Sequence, residues 1–309
     1  MKKVFIDGYA GTTGLRIYER LNARKDIQLI TLTEETRKDI HARRNALNES
    51  DIAFLCLPDD AAKESVSLID NPDTAVIDTS TAHRVNSEWA YGLPELKSQR
   101  EKIKSSKRIA NPGCHATGFI ALVAPLVQSG ILAKDSRLSC FSLTGYSGGG
   151  KKMIADYESD SRSSLLDAPR QYGITQAHKH LPEMTKVCGL DYSPVFCPIV
   201  ADFYAGMEVT VMLHGHDVKC GIAGIKECYA DYYHDGMIHF TDRDKFSEGN
   251  FLSSGAFAGR DDLEVSAYGN DERIILVSRF DNLGKGASGA AIQNMNILLG
   301  IEESTGLVI

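Results

Sequence analysis

The chain has 309 residues, 43% hydrophobic and 24% charged, enough for one large globular domain or two ordinary ones with separate cores. A formal net charge of −7 argues against nucleic acid or an anionic membrane as the main partner, but leaves room for a small anion in a local basic pocket. Seven cysteines, odd in number and without a C-x-x-C pair, suggest neither a disulfide framework nor a zinc ribbon, and they predict a reducing cytoplasm.

The opening "MKKVFIDGYAG" passes directly into a short apolar strand, so neither a signal peptide nor a membrane span is expected. "KKVFID", "IQLITL", "DIAFLCL" and "TAVIDTS" read as strands, with helices at "TTGLRIYERLN" and "AAKESVSLI". Such alternation predicts crossover units and a parallel sheet. Beyond about residue 135 the texture changes. "RLSCFSLTG", "GMEVTVML", "LEVSAYG" and "RIILVSRF" are strands with few helices between them, predicting a mostly antiparallel second domain. "GASGAAIQNMNILLGI" returns to a helical period. The fold class is therefore α/β followed by α+β, closed by a helix.

Between the first strand and first helix, "VFIDGYAGTTGLRIYERL" places Gly8, Gly11 and Gly14 at three-residue spacing. Glycines here let the backbone turn tightly and approach a pyrophosphate seated on unpartnered N–H groups at the helix start. Glu34 follows the second strand about 20 residues after Gly14, where an acid holds the ribose diol of NAD. Arg37 and Lys38, with Arg43 and Arg44 of "HARR", instead suit the 2′-phosphate of NADP. The residues alone leave both readings open.

Of the cysteines, Cys56, Cys140 and Cys197 lie in apolar strand runs, and Cys188, Cys220 and Cys228 have no neighbouring signal. Cys114 differs. In "IANPGCHATGFIALVAPLV" it follows a Pro112–Gly113 turn, and a long apolar helix begins at about His115. A thiol at a helix N-terminus sees the positive end of the dipole, which favours the nucleophilic thiolate.

"TGYSGGGKKMIADYE" follows a strand, and Gly145 to Lys151 reads G-x-x-x-x-G-K, close to a P-loop. A P-loop needs Ser or Thr after its lysine to bind magnesium, and here that position is Lys152. Glycines before two lysines still suit a small anion or phosphate. Further on, "AHKHLPE" offers His178 and His180, one of which Glu183 is placed to orient; in an extended segment the i, i+2 spacing puts both imidazoles on one face. Zinc is the rival reading and lacks an identified third ligand.

Together "DGYAGTTGL", "IDTSTAHR", "YGLPEL", "NPGCHATG", "GYSGGGKK", "HKHLPE" and "FDNLGKGASGAAIQNMN" make the chain resemble, over essentially its full length, the N-acetyl-γ-glutamyl-phosphate reductase family in its shorter form. The resemblance implies the architecture of glyceraldehyde-phosphate dehydrogenase: an NADP-binding Rossmann domain over 1–112 and 284–309, and a catalytic, substrate and oligomerisation domain over 113–283. It implies NADPH, a small acyl phosphate substrate, a homodimer or homotetramer, and no metal. Cys114 would attack the acyl carbon, and His178 or His180 would carry the proton, with Glu183 beside them. The cofactor would meet Gly8, Gly11, Thr12, Thr13, Gly14, Arg37, Lys38 and Asn282. Arg84, Ser147, Gly148 and Lys151 would hold the substrate. His115 stands where the longer form has an aromatic residue, which adds a further proton-active group. The alternatives are an aspartate-semialdehyde dehydrogenase-like enzyme and a non-catalytic NADPH-binding sensor.

Overall fold

In the computed structural model, which describes residues 1–242 and 250–309, the chain divides into two units. The first is Met1–Pro112 with Ala287–Leu307; the second is Gly113–Gly286 with Val308–Ile309.

The first unit is built on six strands: β1 (Lys2–Asp7), β2 (Ile27–Ile30), β3 (Ile52–Leu55), β4 (Ala75–Asp78), β5 (Ala90–Tyr91) and β6 (Arg108–Ala110). They pair in the order β2-β1-β3-β4-β6-β5, every pair parallel. Helices α1 (Thr12–Asn22), α2 (Ile40–Glu49), α3 (Asp59–Ser67) and α4 (Gln99–Ser105) alternate with the strands. Side chains alternate along each strand, so Val4, Ile6, Ile52 and Phe54 pack with Ile17 and Leu21 of α1, while Phe5, Ala53, Leu55 and Val76 pack with Leu47 and Ala62 of α2 and α3. A sheet covered on both faces explains the continuous apolar runs in the sequence.

The second unit carries a seven-stranded sheet. Its strands are β7 (Ser139–Gly145), β8 (Arg170–Gln171), β9 (Val195–Ala201), β10 (Met207–His214), β11 (Ile238–Phe240), β12 (Leu263–Gly269) and β13 (Arg273–Phe280), in the order β11-β12-β13-β10-β7-β9-β8. As expected the sheet is mostly antiparallel, in four of its six pairings among the described residues, but β7 pairs with β9 and β11 with β12 in parallel. A short turn joins β12 to β13 and forces an antiparallel pair, whereas the long connection from β7 to β9 leaves room for a crossover.

Helix α5 (Cys114–Gln128) lies against this sheet and is buried from His115 to Val127. Gly118 is the close-contact point: a Cβ there would come within 2.5 Å of Val209 Cγ2 and 2.7 Å of Ser278 Oγ. Helices α6 (Gly150–Glu158), α7 (Leu181–Cys188) and α8 (Ile222–Tyr232) complete the unit. The opposite sheet face leaves Phe141, Met212 and Ile275 exposed. The last helix, α9 (Gly289–Leu299), belongs to the first unit and is buried despite its polar residues. Asn294 donates to Gly92 O, Gln293 to Glu95, and Asn296 to Thr305 O, so the buried amide NH₂ groups find acceptors.

Candidate active site

Pro112 and Gly113 end an extended segment, and α5 starts at Cys114 with Gly113 as an N-cap that has no side chain to offer. The cap is held from elsewhere. Gly113 N–H donates to Glu183 Oε1 at 2.8 Å, and Gly113 O receives both the N–H and the hydroxyl of Thr117, at 2.8 and 3.0 Å. A Cβ on Gly286 would lie 3.0 Å from Cys114 Cβ, so glycine is what fits beside the thiol. Burial pushes the Cys56 thiol up to about 12 and raises those of Cys140, Cys188, Cys220 and Cys228. Those five are held as thiols. Cys114 is half-buried at the positive end of a 15-residue helix, where a thiolate is favoured.

The fold gathers an imidazole cluster beside it. Ring centroids of His115 lie 5.7 Å from His178 and 5.6 Å from His180, and those two are 4.8 Å apart. His178 and His180 do not share the face of an extended strand. His180 has helical dihedrals and caps α7, so a turn brings the rings together. His180 N–H donates to His178 Nδ1 at 3.2 Å, which leaves a neutral His178 with its proton on Nε2. Burial, then the positive charge of Lys179, lowers His178 to about 4. His115 is lowered to about 3, by burial first and then by His178 and Lys179. Its ring nitrogens are both engaged, Nδ1 with Ser142 Oγ and Nε2 with Tyr172 Oη, each at 2.6 Å. His115 is therefore a neutral ring bonded at both nitrogens.

Glu183, expected to orient a histidine, is buried and places one carboxylate oxygen on the backbone ahead of the thiol. Sequence reasoning missed Tyr172 and Ser142. Neither carries a local signal, since Tyr172 sits in a loop and Ser142 reads as one more strand position.

The glycine-lysine segment departs from a P-loop in geometry as well as sequence. After β7 the chain makes a 3₁₀ turn over Tyr146–Gly149 before α6 begins. Gly145 is required because a Cβ would meet Tyr204 O at 2.6 Å, whereas at Gly148 nothing comes closer than 3.5 Å. Gly148 and Lys151 are exposed, while Ser147 is buried and accepts from Asn282 Nδ2 at 2.9 Å. Asn282 Oδ1 accepts from Gly206 N at 2.9 Å, so this amide links Ser147 to the backbone at Gly206.

In the first unit, Gly8 has φ +87° and a Cβ there would lie 2.4 Å from Cys56 O. A Cβ on Gly14 would lie 2.5 Å from Gly8 O. These two glycines let the start of α1 close onto the end of β1. Gly11 caps α1 without a side chain, Thr13 lies in the first turn, and the buried Thr12 Oγ1 has no hydrogen-bond partner among the described residues. A cleft of about 260 Å³ opens here, lined by Asp7 to Ala10 with Arg37, Lys38 and Arg43. This cradle and its orphaned hydroxyl fit a dinucleotide pyrophosphate.

The basic cluster is smaller than the sequence suggested. Arg43 is held by Asp7, Glu64 and Ser65, and Arg44 pairs with Asp70. Arg37 Nε donates to Glu34 Oε2 at 2.6 Å, joining the two rival cofactor determinants in one pair. In the loop after β4, Arg84 donates to Thr79 O at 2.8 Å, beside a His83 that bonds Asp78 and stacks on Trp89. Among the described residues no group of three or more His, Cys, Asp or Glu gathers as a metal site, and no helix is long and apolar enough to cross a membrane.

A dinucleotide cradle in one unit and a thiol–imidazole cluster in the other define a dehydrogenase of the semialdehyde type. Residues 3–106 match the family described as semialdehyde dehydrogenase, NAD binding domain, and residues 114–282 match semialdehyde dehydrogenase, dimerisation domain. A nicotinamide dinucleotide is thus its cofactor. The chain is 44% identical to N-acetyl-γ-glutamyl-phosphate reductase 2 of Nostoc sp., with 99% of each chain covered. It is 42% identical to the Sinorhizobium medicae reductase, covering 96% of this chain and 98% of the other. The chain belongs to the N-acetyl-γ-glutamyl-phosphate reductase family. Among solved structures, aspartate semialdehyde dehydrogenase II from Vibrio cholerae shares the fold, with a TM-score of 0.73 at 15% identity, covering 97% and 98% of the two chains. The Candida albicans aspartate semialdehyde dehydrogenase with NADP gives 0.67 at 14%, covering 97% and 99%.

Proposed function

We propose that this protein reduces N-acetyl-γ-glutamyl phosphate to N-acetylglutamate 5-semialdehyde with NADPH, releasing phosphate through a thioester on Cys114. The single observation that carries the reading is a half-buried thiol at the first turn of α5, beside a cluster of imidazoles. Cys114 Sγ attacks the acyl carbon and the carbon–oxygen bond to phosphate breaks. His180 takes the thiol proton, because His178 spends its lone pair on His180 N–H and presents Nε2–H as a donor. When bound, the dinucleotide supplies a hydride. After reduction, His180 stabilises the oxygen of the thiohemiacetal and takes its proton as the carbon–sulfur bond breaks and the aldehyde leaves.

Arg37 and Lys38 at the cleft favour the 2′-phosphate of NADPH, with Gly8, Gly11, Thr12, Thr13 and Gly14 around the pyrophosphate. Arg84 and Lys151, with Ser147 and Gly148, serve the anionic groups of the substrate, and Asn282 acts by holding Ser147. The exposed Phe141, Met212 and Ile275 supply the contact of a cytoplasmic homodimer or homotetramer.

The reverse reaction tests the reading. With NADP and phosphate fixed, N-acetylglutamate semialdehyde should drive NADPH formation far faster than aspartate semialdehyde. The opposite preference would make the protein an aspartate-semialdehyde dehydrogenase, and cofactor binding without turnover of either would make it a sensor.

A further inference from the structure

We propose that the Tyr172 hydroxyl is a directed hydrogen-bond donor to the reacting centre at Cys114, and that Ser142 and His115 are the positioning residues that aim it. The inference rests on the thioester reading above and deepens the same site.

The direction of the donor follows from counting protons. Ser142, His115 and Tyr172 form a chain with 2.6 Å at each link. Burial keeps His115 neutral, so one ring nitrogen donates and the other accepts. Two proton orders are then available. In one, His115 Nδ1–H donates to Ser142 and Tyr172 O–H is spent on Nε2. Ser142 is fully buried, and His115 is its hydroxyl's partner among the described residues. That order strands the Ser142 proton with no acceptor. In the other, Ser142 O–H donates to Nδ1, and His115 Nε2–H donates to the Tyr172 oxygen. Every buried proton is then used, and the half-buried Tyr172 keeps its own O–H to offer elsewhere.

That O–H lies within reach of the charge on Cys114. Cys114 and His115 are consecutive residues at the start of α5, and Tyr172 sits on His115 at the outer end of the chain. Its ring lies 5.9 Å from His178 and 6.0 Å from His115, within the same cluster. Burial, and then the charge of Cys114, raises the Tyr172 hydroxyl, which therefore stays protonated. A donor so placed stabilises the thiolate before attack and the oxyanion formed at the acyl carbon afterwards.

Tyr172→Phe, Ser142→Ala and Ser142→Thr separate aim from packing. The readouts are the pH midpoint of Cys114 alkylation by iodoacetamide, which needs no substrate, and the kcat and KM of reduction. His115, His178, His180, Lys179 and Glu183 are unchanged in all three, so a shift reports the hydroxyl. For Tyr172→Phe the midpoint should rise by about one pH unit, and kcat should fall about 100-fold with KM for the acyl phosphate little changed. Ser142→Ala should shift both in the same direction by less, and Ser142→Thr should restore them. An unchanged midpoint and kcat in Tyr172→Phe would overturn the proposal, and an unaffected Ser142→Ala would overturn the relay. If the unmodified protein reduces no acyl phosphate, the proposed function fails, while the alkylation midpoint still decides the Tyr172–Cys114 contact.

Discussion

Two helices of this molecule, α1 and α5, both begin behind a glycine, and neither has a side chain capping its first turn. Their surroundings differ. At α1 the glycines clear space, since Gly8 and Gly14 are the positions where a Cβ would strike backbone, and the helix end opens into a cleft with Arg37 and Lys38. At α5 the space is filled, with Glu183 on Gly113, Gly286 against Cys114 and imidazoles around the thiol. An open helix start suits an anion from solution, whereas a furnished one suits a group of its own chain, here the proposed nucleophile. The two ends should therefore break differently.

The largest loss belongs to α5. Cys114→Ser replaces a good nucleophile and leaving group with a poor one, so kcat should drop by at least about 10³-fold while fluorescence titration still shows cofactor binding. At α1 the loss is in binding and folding. Gly8→Ala puts a methyl 2.4 Å from a carbonyl oxygen at a positive φ, and should cost about 2–4 kcal/mol in urea unfolding and weaken the dinucleotide sharply. Arg37→Ala should weaken NADPH by about 1.5–3 kcal/mol and NADH much less, read by calorimetry. Equal affinities for both cofactors in the unmodified protein would remove the basis for that choice.

The pH response separates the regions further. His115 and His178 protonate near 6.5 when unfolded but only near 3 and 4 in the fold. Their contribution is fully present above pH 6.5 and is lost as pH falls toward those folded values. Below 6.5 each should cost up to about 1.4 kcal/mol per pH unit, less for the partly exposed His178. Urea midpoints measured between pH 7 and 5 should show the fall, and His115→Gln should flatten it. The smallest effect is Gly148→Ala, whose methyl makes only ordinary van der Waals contact at 3.5 Å and should leave stability within about 0.5 kcal/mol.

What the sequence made legible follows the same division. Gly8, Gly11 and Gly14 are neighbours in the chain, so their cradle can be read before folding, as can β12, β13 and the long apolar α5. The two-residue β5 and the short β6 carry too few positions to show a period. Parallel pairing of β7 with β9 depends on how a long connection returns, which no local pattern records. Around Cys114, the nucleophile and the histidines were legible as residue types. Ser142 and Tyr172 were not, and Glu183 was legible beside the histidines but not as the partner of Gly113, because the three come to His115 and Gly113 across 27, 57 and 70 positions of chain. The P-loop resemblance failed for a local reason, Lys152 in place of a hydroxyl, and after β7 the chain makes a 3₁₀ turn instead.

The central claim is that Cys114 becomes acylated. Unmodified protein mixed with N-acetyl-γ-glutamyl phosphate, without dinucleotide, should show by mass spectrometry an N-acetylglutamyl adduct on the peptide carrying Cys114, and the Cys114→Ser protein should show none. A protein that turns over yet never carries that adduct, or a Cys114→Ser protein that keeps a near-normal rate, would contradict the account.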